Sequence, residues 1–205
     1  MLIVFEGIDG SGKNTQIAAL LAFLQQSGVK HRLYKYPSAR AKDVFRHLQG
    51  KKTLRPEKLA EIFAADILAD REKVGRETDS GTVVICDRYL HSTLAYQGVK
   101  VGYGRLKKKL SVLGAITPDI VFLLDLDPKV SAKRKRAQKK PDRFEKDVPF
   151  LSRVRENYRK MAGQGFLSYK YAVIDAEQEQ EKIFTEIITQ VEPLVTKKMG
   201  RKNYS

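Results

Sequence analysis

Apolar residues fall in short dense runs, separated by longer segments where they recur every three or four positions. The runs at 2–6, 82–86, 120–126 and 171–174 read as strands of a sheet covered on both faces. Residues 31–36 alternate and stop at Pro37, and read as one more strand. Helical spacing over 13–26 places Ile17, Leu20, Leu21 and Leu24 on one face, and Gly28 ends the segment. A short helix is predicted over 43–48. A longer one starts at Pro56, runs to about 78 and carries Leu59, Ile62, Phe63, Ile67 and Val74. Asp79-Ser80-Gly81 is a turn. Ser92 begins another helix and 106–113 forms the next, with Gly98, Gly102 and Gly104 marking a mobile connection. Pro128 opens a helix that dissolves into Lys139-Lys140-Pro141. Further helices cover 148–161 and the stretch marked by Ile183, Ile187, Val191 and Leu194, and the polar tail after 196 reads as loose.

Strands alternating with helices predict an α/β fold in three layers: a five-stranded parallel sheet with helices on both faces. Neither a repeat nor a low-complexity linker divides the 205 residues, so 1–205 is read as one domain. Ligands of such sheets bind outside the carboxyl ends of the strands. That rule gathers residues 7–15, Pro37 to Arg40, Asp87, Arg88 and Asp127 in one region.

The first of these groups carries the clearest chemistry. Gly7-Ile8-Asp9-Gly10-Ser11-Gly12-Lys13-Asn14-Thr15 sits between a strand and a helix, the context of a phosphate-binding P-loop. The glycines let successive N–H groups turn inward, the helix N-terminus adds partial positive charge, and Lys13 reaches the outer phosphates of a nucleotide. The pattern asks for Ser or Thr after the lysine, and Asn14 stands there instead. An Asn carbonyl can ligate magnesium, as can water. Asp87, at the end of a buried strand, can hold magnesium or its waters, and Arg88 can fork onto a phosphate. An internal ion pair is the plainer alternative for these two. Phe63 and Tyr96 offer flat surfaces for a nucleoside, or simply pack in the core.

Composition adds a net charge of +15, which implies anionic partners: nucleotide phosphates, nucleic acid or acidic surfaces. Six basic residues lie between Lys133 and Lys140. They suit a basic lid over about 133–147, and by composition alone they equally suit nucleic acid or solvent; the residues from about 197 to 205 read as a solvated basic tail. The single cysteine, Cys86, lies in an apolar run and reads as core. His31, His47 and His91 lack metal-ligand spacing. No apolar stretch is long enough for a signal peptide or membrane span, so the expectation is a cytoplasmic protein without a membrane partner.

Taken in order, these blocks resemble the thymidylate kinases, a branch of the P-loop nucleoside-monophosphate kinases. The resemblance covers most of the chain. It rests on Phe5 through Lys13 with Thr15-Gln16, Tyr36-Pro37 followed by Arg40, Phe63-Ala64-Ala65-Asp66, and Asp87-Arg88-Tyr89 with Ser92, Ala95, Tyr96 and Gln97. Leu124-Asp125-Leu126-Asp127-Pro128 with Arg134 and Arg136, Asp142-Arg143-Phe144-Glu145 and Ile174-Asp175-Ala176 complete it.

The resemblance implies transfer of the ATP γ-phosphoryl group to dTMP with magnesium, giving dTDP and ADP in the route to dTTP, by a homodimer. It implies that Gly7, Ile8, Gly10, Ser11, Gly12, Lys13, Asn14 and Thr15 cradle the ATP phosphates and that Arg134 stacks near adenine. Asp9 would face the acceptor near its sugar. Arg88, helped by Arg40, would grip the acceptor phosphate. Phe63 would pack on thymine, Tyr96 would exclude a 2′-hydroxyl, and Pro37, Ser92 and Gln97 would line the same pocket. The loop lacks an arginine, so the catalytic cation falls to the lid: Arg136, with Lys139, Lys140 and Arg143 as rivals. Many members carry an arginine where Ile67 stands, and some an asparagine where Thr93 stands. Arg71, one turn beyond Ile67, is the candidate to reach in. Fewer hydrogen bonds to the base predict a broader base preference. Two other readings are another mononucleotide or deoxynucleoside kinase, and a P-loop protein acting with nucleic acid. The ordered motifs favour a mononucleotide substrate over nucleic acid.

Overall fold

The computed structural model describes residues 1–136 and 147–200. Five strands form one sheet in the order β2-β3-β1-β4-β5, with every neighbouring pair parallel: β1 (Leu2–Glu6), β2 (His31–Lys35), β3 (Val83–Asp87), β4 (Ile120–Asp125) and β5 (Tyr171–Asp175). The apolar runs explain this order. Strands β1, β3 and β4 are buried at every position and occupy the centre, whereas β2 and β5 are half-exposed edges. The helices are α1 (Lys13–Gln26), α2 (Lys42–Leu48), α3 (Pro56–Leu68), α4 (Arg71–Asp79), α5 (Leu90–Val101), α6 (Tyr103–Ser111), α7 (Pro128–Arg136), α8 (Val148–Gly163) and α9 (Gln180–Gly200). They and the sheet make the three-layer α/β arrangement. Phe5 and Phe122 meet at its centre, ring centroids 5.2 Å apart, and Cys86 is fully buried beside them in the core.

Three expectations fail for local reasons. The helix predicted from Pro56 to 78 is two helices, broken at Ala69-Asp70. The break gives Asp70 a non-helical backbone (φ −98°, ψ 0°) and lets its carboxylate meet Tyr36 and Arg40. The glycine-marked connection is helical, apart from Gly102 (φ 94°) between α5 and α6. Gly98 is inside α5 because Tyr103 crosses close by: a Cβ there would lie 3.4 Å from the Tyr103 Cα. Helix α9 runs to Gly200, past the predicted end at 196.

Register fixes what gathers at the carboxyl edge. Phe5 stands opposite Asp87, so the loop after β1 and the segment after β3 leave the sheet side by side. The chain passes from β3 to β4 across β1, and the direction of winding changes there, where ligand crevices form in such sheets.

Candidate active site

The loop between β1 and α1 is shaped by close approach. Gly7 (φ 139°) passes so near β4 that a Cβ would lie 2.5 Å from the Leu124 carbonyl oxygen. Gly12 caps α1 in the left-handed conformation (φ 88°). Lys13, the first residue of α1, is buried and folds back over the loop, donating to the carbonyls of Gly7 (3.0 Å) and Ile8 (3.1 Å). Burial lowers its pKa to about 8, and the nearby Arg88 cation adds to this against the opposing pull of Asp9, Asp87 and Glu6. Helix α7 bolts onto the loop from the other side. The Ser131 hydroxyl donates to the Asp9 carbonyl (2.6 Å), and Arg134 donates to the carbonyls of Gly10 (3.2 Å) and Ala176 (3.0 Å).

Two cavities open along this edge. One, polar, runs over Gly10 to Gln16 and on to Arg134, Gln178 and Ile183. Asn14 and Thr15 are exposed on it, and Asp87 is buried at its side with its carboxylate 3.1 Å from Lys35 Nζ. The other is mainly apolar. Phe63, Ile67, Leu59 and Leu48 form one wall, and Ser92, Thr93, Tyr96 and Gln97 of α5 form another. Asp9, Tyr36, Pro37 and Arg88 line both cavities.

Arg88 is the hinge of this arrangement. Its backbone is left-handed (φ 70°), a conformation that costs a non-glycine residue about 1–3 kcal/mol. Its guanidinium pairs with Asp9, donates to the Ser92 hydroxyl (2.9 Å) and lies 5.4 Å from the Tyr96 ring centroid. Burial works against its charge, yet Asp9, Tyr96, Tyr158 and Glu6 outweigh it and hold its pKa well above the ordinary value.

Most sequence-predicted residues therefore meet here: the loop from Gly7 to Thr15, Pro37, Phe63, Asp87, Arg88, Ser92, Tyr96, Gln97 and Arg134. Gly7 and Ile8 form the base of the loop without lining either cavity, and Arg40 and Arg71 lie away from both. Arg40 is tied to Asp66 through Nε (3.2 Å) and to Asp70 through both terminal nitrogens. Arg71 belongs to the separate helix α4, and its guanidinium lies against Gly114. Arg136 closes α7, but its side chain, like Lys139, Lys140 and Arg143, lies outside the described residues. Sequence reasoning missed Lys35, Ser131 and Glu6. For Glu6 there was a signal: a lone acid closing an otherwise apolar strand.

A family model for thymidylate kinase matches residues 5–187, which include every cavity residue named above. The chain belongs to the thymidylate kinase family. It is 34% identical over 195 residues to a thymidylate kinase of Carboxydothermus hydrogenoformans, covering 90% of this chain and 93% of that protein. It is 36% identical over 208 residues to a probable thymidylate kinase of Thermococcus kodakarensis, covering 95% and 98%. A probable thymidylate kinase of Archaeoglobus fulgidus is 32% identical over 199 residues, covering 97% and 98%. These thymidylate kinase relatives match nearly the full length of the chain.

Proposed function

We propose that the two cavities are the donor and acceptor halves of one phosphoryl-transfer site, a reading carried by their junction at Asp9 and Arg88. The chain transfers the γ-phosphoryl group of ATP to dTMP, giving dTDP and ADP. An oxygen of the acceptor phosphate attacks the γ-phosphorus, and the bond to the β-bridging oxygen breaks. That nucleophile is already anionic, so alignment and charge neutralisation do the work and no strong base is needed.

In this reading Lys13 exchanges the carbonyls of Gly7 and Ile8 for ATP phosphate oxygens, and Arg134 lies against adenine. Arg88 takes the acceptor phosphate at the junction, and Asp9 faces the sugar. Phe63 stacks on the base, while Tyr96 fills the space a 2′-hydroxyl would need. The Thr93 hydroxyl and Gln97 amide are the polar groups that α5 offers the base. Arg40, engaged by Asp66 and Asp70, serves by fixing the segment around Pro37. The Asp87 carboxylate and Asn14 carbonyl are hard oxygen donors on one cavity and fit magnesium, which keeps several waters and phosphate ligands. Bound there, the ion would neutralise phosphate charge. The homodimer and the cytoplasmic location implied by the resemblance belong to the same proposal. An open apolar groove between α3 and α6, lined by Ala60, Ala64, Leu68 and Leu106, supports a second copy docking there.

A coupled assay with ATP, magnesium and a panel of mononucleotides tests this function. Turnover is expected with dTMP and, because Ile67 presents no hydrogen bond to the base, appreciable turnover with dCMP, whose polar edge differs. Absence of transfer to both would refute the reading, and strict use of dTMP would refute the relaxed base preference.

A further inference from the structure

Beneath Arg88 lies a carboxylate for which the chemistry above has no use. Glu6 ends β1, is fully buried, and belongs to neither cavity lining. Its Oε1 accepts the backbone N–H of Tyr89 (2.7 Å) and of Ser92 (3.1 Å). Its Oε2 accepts the hydroxyls of Ser92 (2.6 Å) and Tyr158 (2.8 Å). Tyr89 is the N-cap of α5, and its own side chain makes no cap bond. The two N–H groups held by Oε1 are the ones a local capping box would satisfy, at the N-cap and three residues on. Glu6 thus caps α5 from another strand, and the positive end of that helix faces the buried charge.

The Ser92 hydroxyl is the junction. It donates its proton to Glu6, which leaves an oxygen lone pair aimed the other way. Arg88 Nη1 donates to that same oxygen at 2.9 Å. Glu6 also fixes the N–H directly after Arg88, in the stretch where the backbone is left-handed. Both the position and the roll of the guanidinium therefore depend on a carboxylate that never meets the substrate.

We infer that Glu6, acting through Ser92, is a positioning residue that orients Arg88 for the acceptor phosphate. This rests on reading Arg88 as the ligand of that phosphate. Glu6→Gln is nearly isosteric but replaces one acceptor oxygen by an NH₂ group. With the amide oxygen toward the two backbone N–H groups, the NH₂ faces Ser92 and Tyr158 and donates to them. The Ser92 hydroxyl must then turn its proton away from residue 6, and the neutral amide no longer attracts the guanidinium, so the bridge to Arg88 loosens.

The test compares dTMP with thymidine, which has no phosphate, by calorimetric titration of the whole protein. In Glu6→Gln the dTMP Kd is expected to rise about tenfold, while thymidine and ATP Kd values stay within twofold. Ser92→Ala removes the bridging hydroxyl with its contacts to Arg88, Glu6 and Tyr158 and should give the same selective loss, and the double variant should lose no more than either single one. The Tyr158 hydroxyl touches both Glu6 and Ser92 Oγ (2.9 Å) and belongs to the bridge, so the stability control is Ile187→Val in α9, which should lower Tm with little change in the dTMP-to-thymidine affinity ratio. A merely structural role would lower Tm or the active fraction without moving that ratio. The inference is overturned if Arg88→Ala collapses the ratio while both Glu6→Gln and Ser92→Ala preserve it. If Arg88→Ala also preserves the ratio, the reading of Arg88 itself fails. Should Glu6→Gln not fold, Glu6→Asp, which keeps the charge but draws it back from Ser92 and Tyr89, takes its place with the same expected and overturning results.

Discussion

Lys13 enters the site as a desolvated cation whose pKa, about 8, lies close to working pH. Phosphate oxygens favour its charged form, so bound nucleotide must raise that value. The sign follows. Below about pH 8 the ammonium is charged in both free and bound protein, and this group leaves ATP affinity flat. Above it, free protein must take up a proton to bind, and affinity falls toward tenfold per pH unit. Calorimetry at pH 9 in buffers of different ionisation heat should show that proton uptake, whereas a constant Kd from pH 8 to 9.5 would rule it out. Arg136 is the residue on which the family resemblance puts transition-state charge. Arg136→Ala is expected to lower kcat about 10³-fold with ATP affinity nearly intact. Single-turnover kinetics separates the two, and a wild-type rate would remove Arg136 from the mechanism.

At the level of elements, the break between α3 and α4 is structural chemistry rather than a fault in a long helix. Asp70 accepts from Tyr36 (3.2 Å) and Arg40, and chiefly the Arg40 bond holds its carboxyl below the ordinary range. A depressed carboxylate stabilises the fold above its ordinary pKa of 3.8, and that contribution fades as the pH falls through the folded value. Arg40 is half-exposed, so solvent screens the pair, and Asp70→Asn should cost only about 1 kcal/mol at pH 7. Urea midpoints should differ at pH 7 and draw together as the pH falls below the folded value; equal midpoints at pH 7 would mean Asp70 has no such role.

This same element shows where sequence reading stops. Strands β1, β3 and β4 and the loop after β1 were legible because burial on both faces and tight turns leave local signatures. The α3–α4 break was not, since its cause is a partner thirty residues away in Arg40. The glycine at 98 looked like a hinge because close helix contact and backbone freedom select the same residue. Arg40 looked like a phosphate ligand and Arg71 like a partner for the base because charge shows in a sequence and its commitments to Asp66, Asp70 or the Gly114 turn do not. Glu6 stood in plain view at a strand end, but nothing local revealed four donors drawn from α5 and α8.

For the whole molecule, the apolar groove between α3 and α6 and the neighbouring Val112, 82% exposed, are the surface a homodimer would cover. Ala64→Glu places a charge in that groove and is expected to yield a monomer by light scattering. A wild-type dimer that survives this substitution, or a monomeric wild type, would refute the docking face.

The central place of β1 in the sheet also sets a schedule. The first strand made by the ribosome needs partners on both sides, and they arrive late: Leu2 aligns with Val84 and Ile3 with Ile120. At about 5–20 residues per second, β4 is made roughly 6–24 seconds after β1. Until β3 is made, roughly 4–16 seconds after β1, that apolar strand and the glycine-rich loop attached to it have no sheet to join, and its other edge stays open until β4. The β1 strand and its glycine-rich loop are thus also the segment most open to capture by chaperones or by other unfinished chains, and slowing synthesis before β4 should cost more active protein than slowing it afterwards.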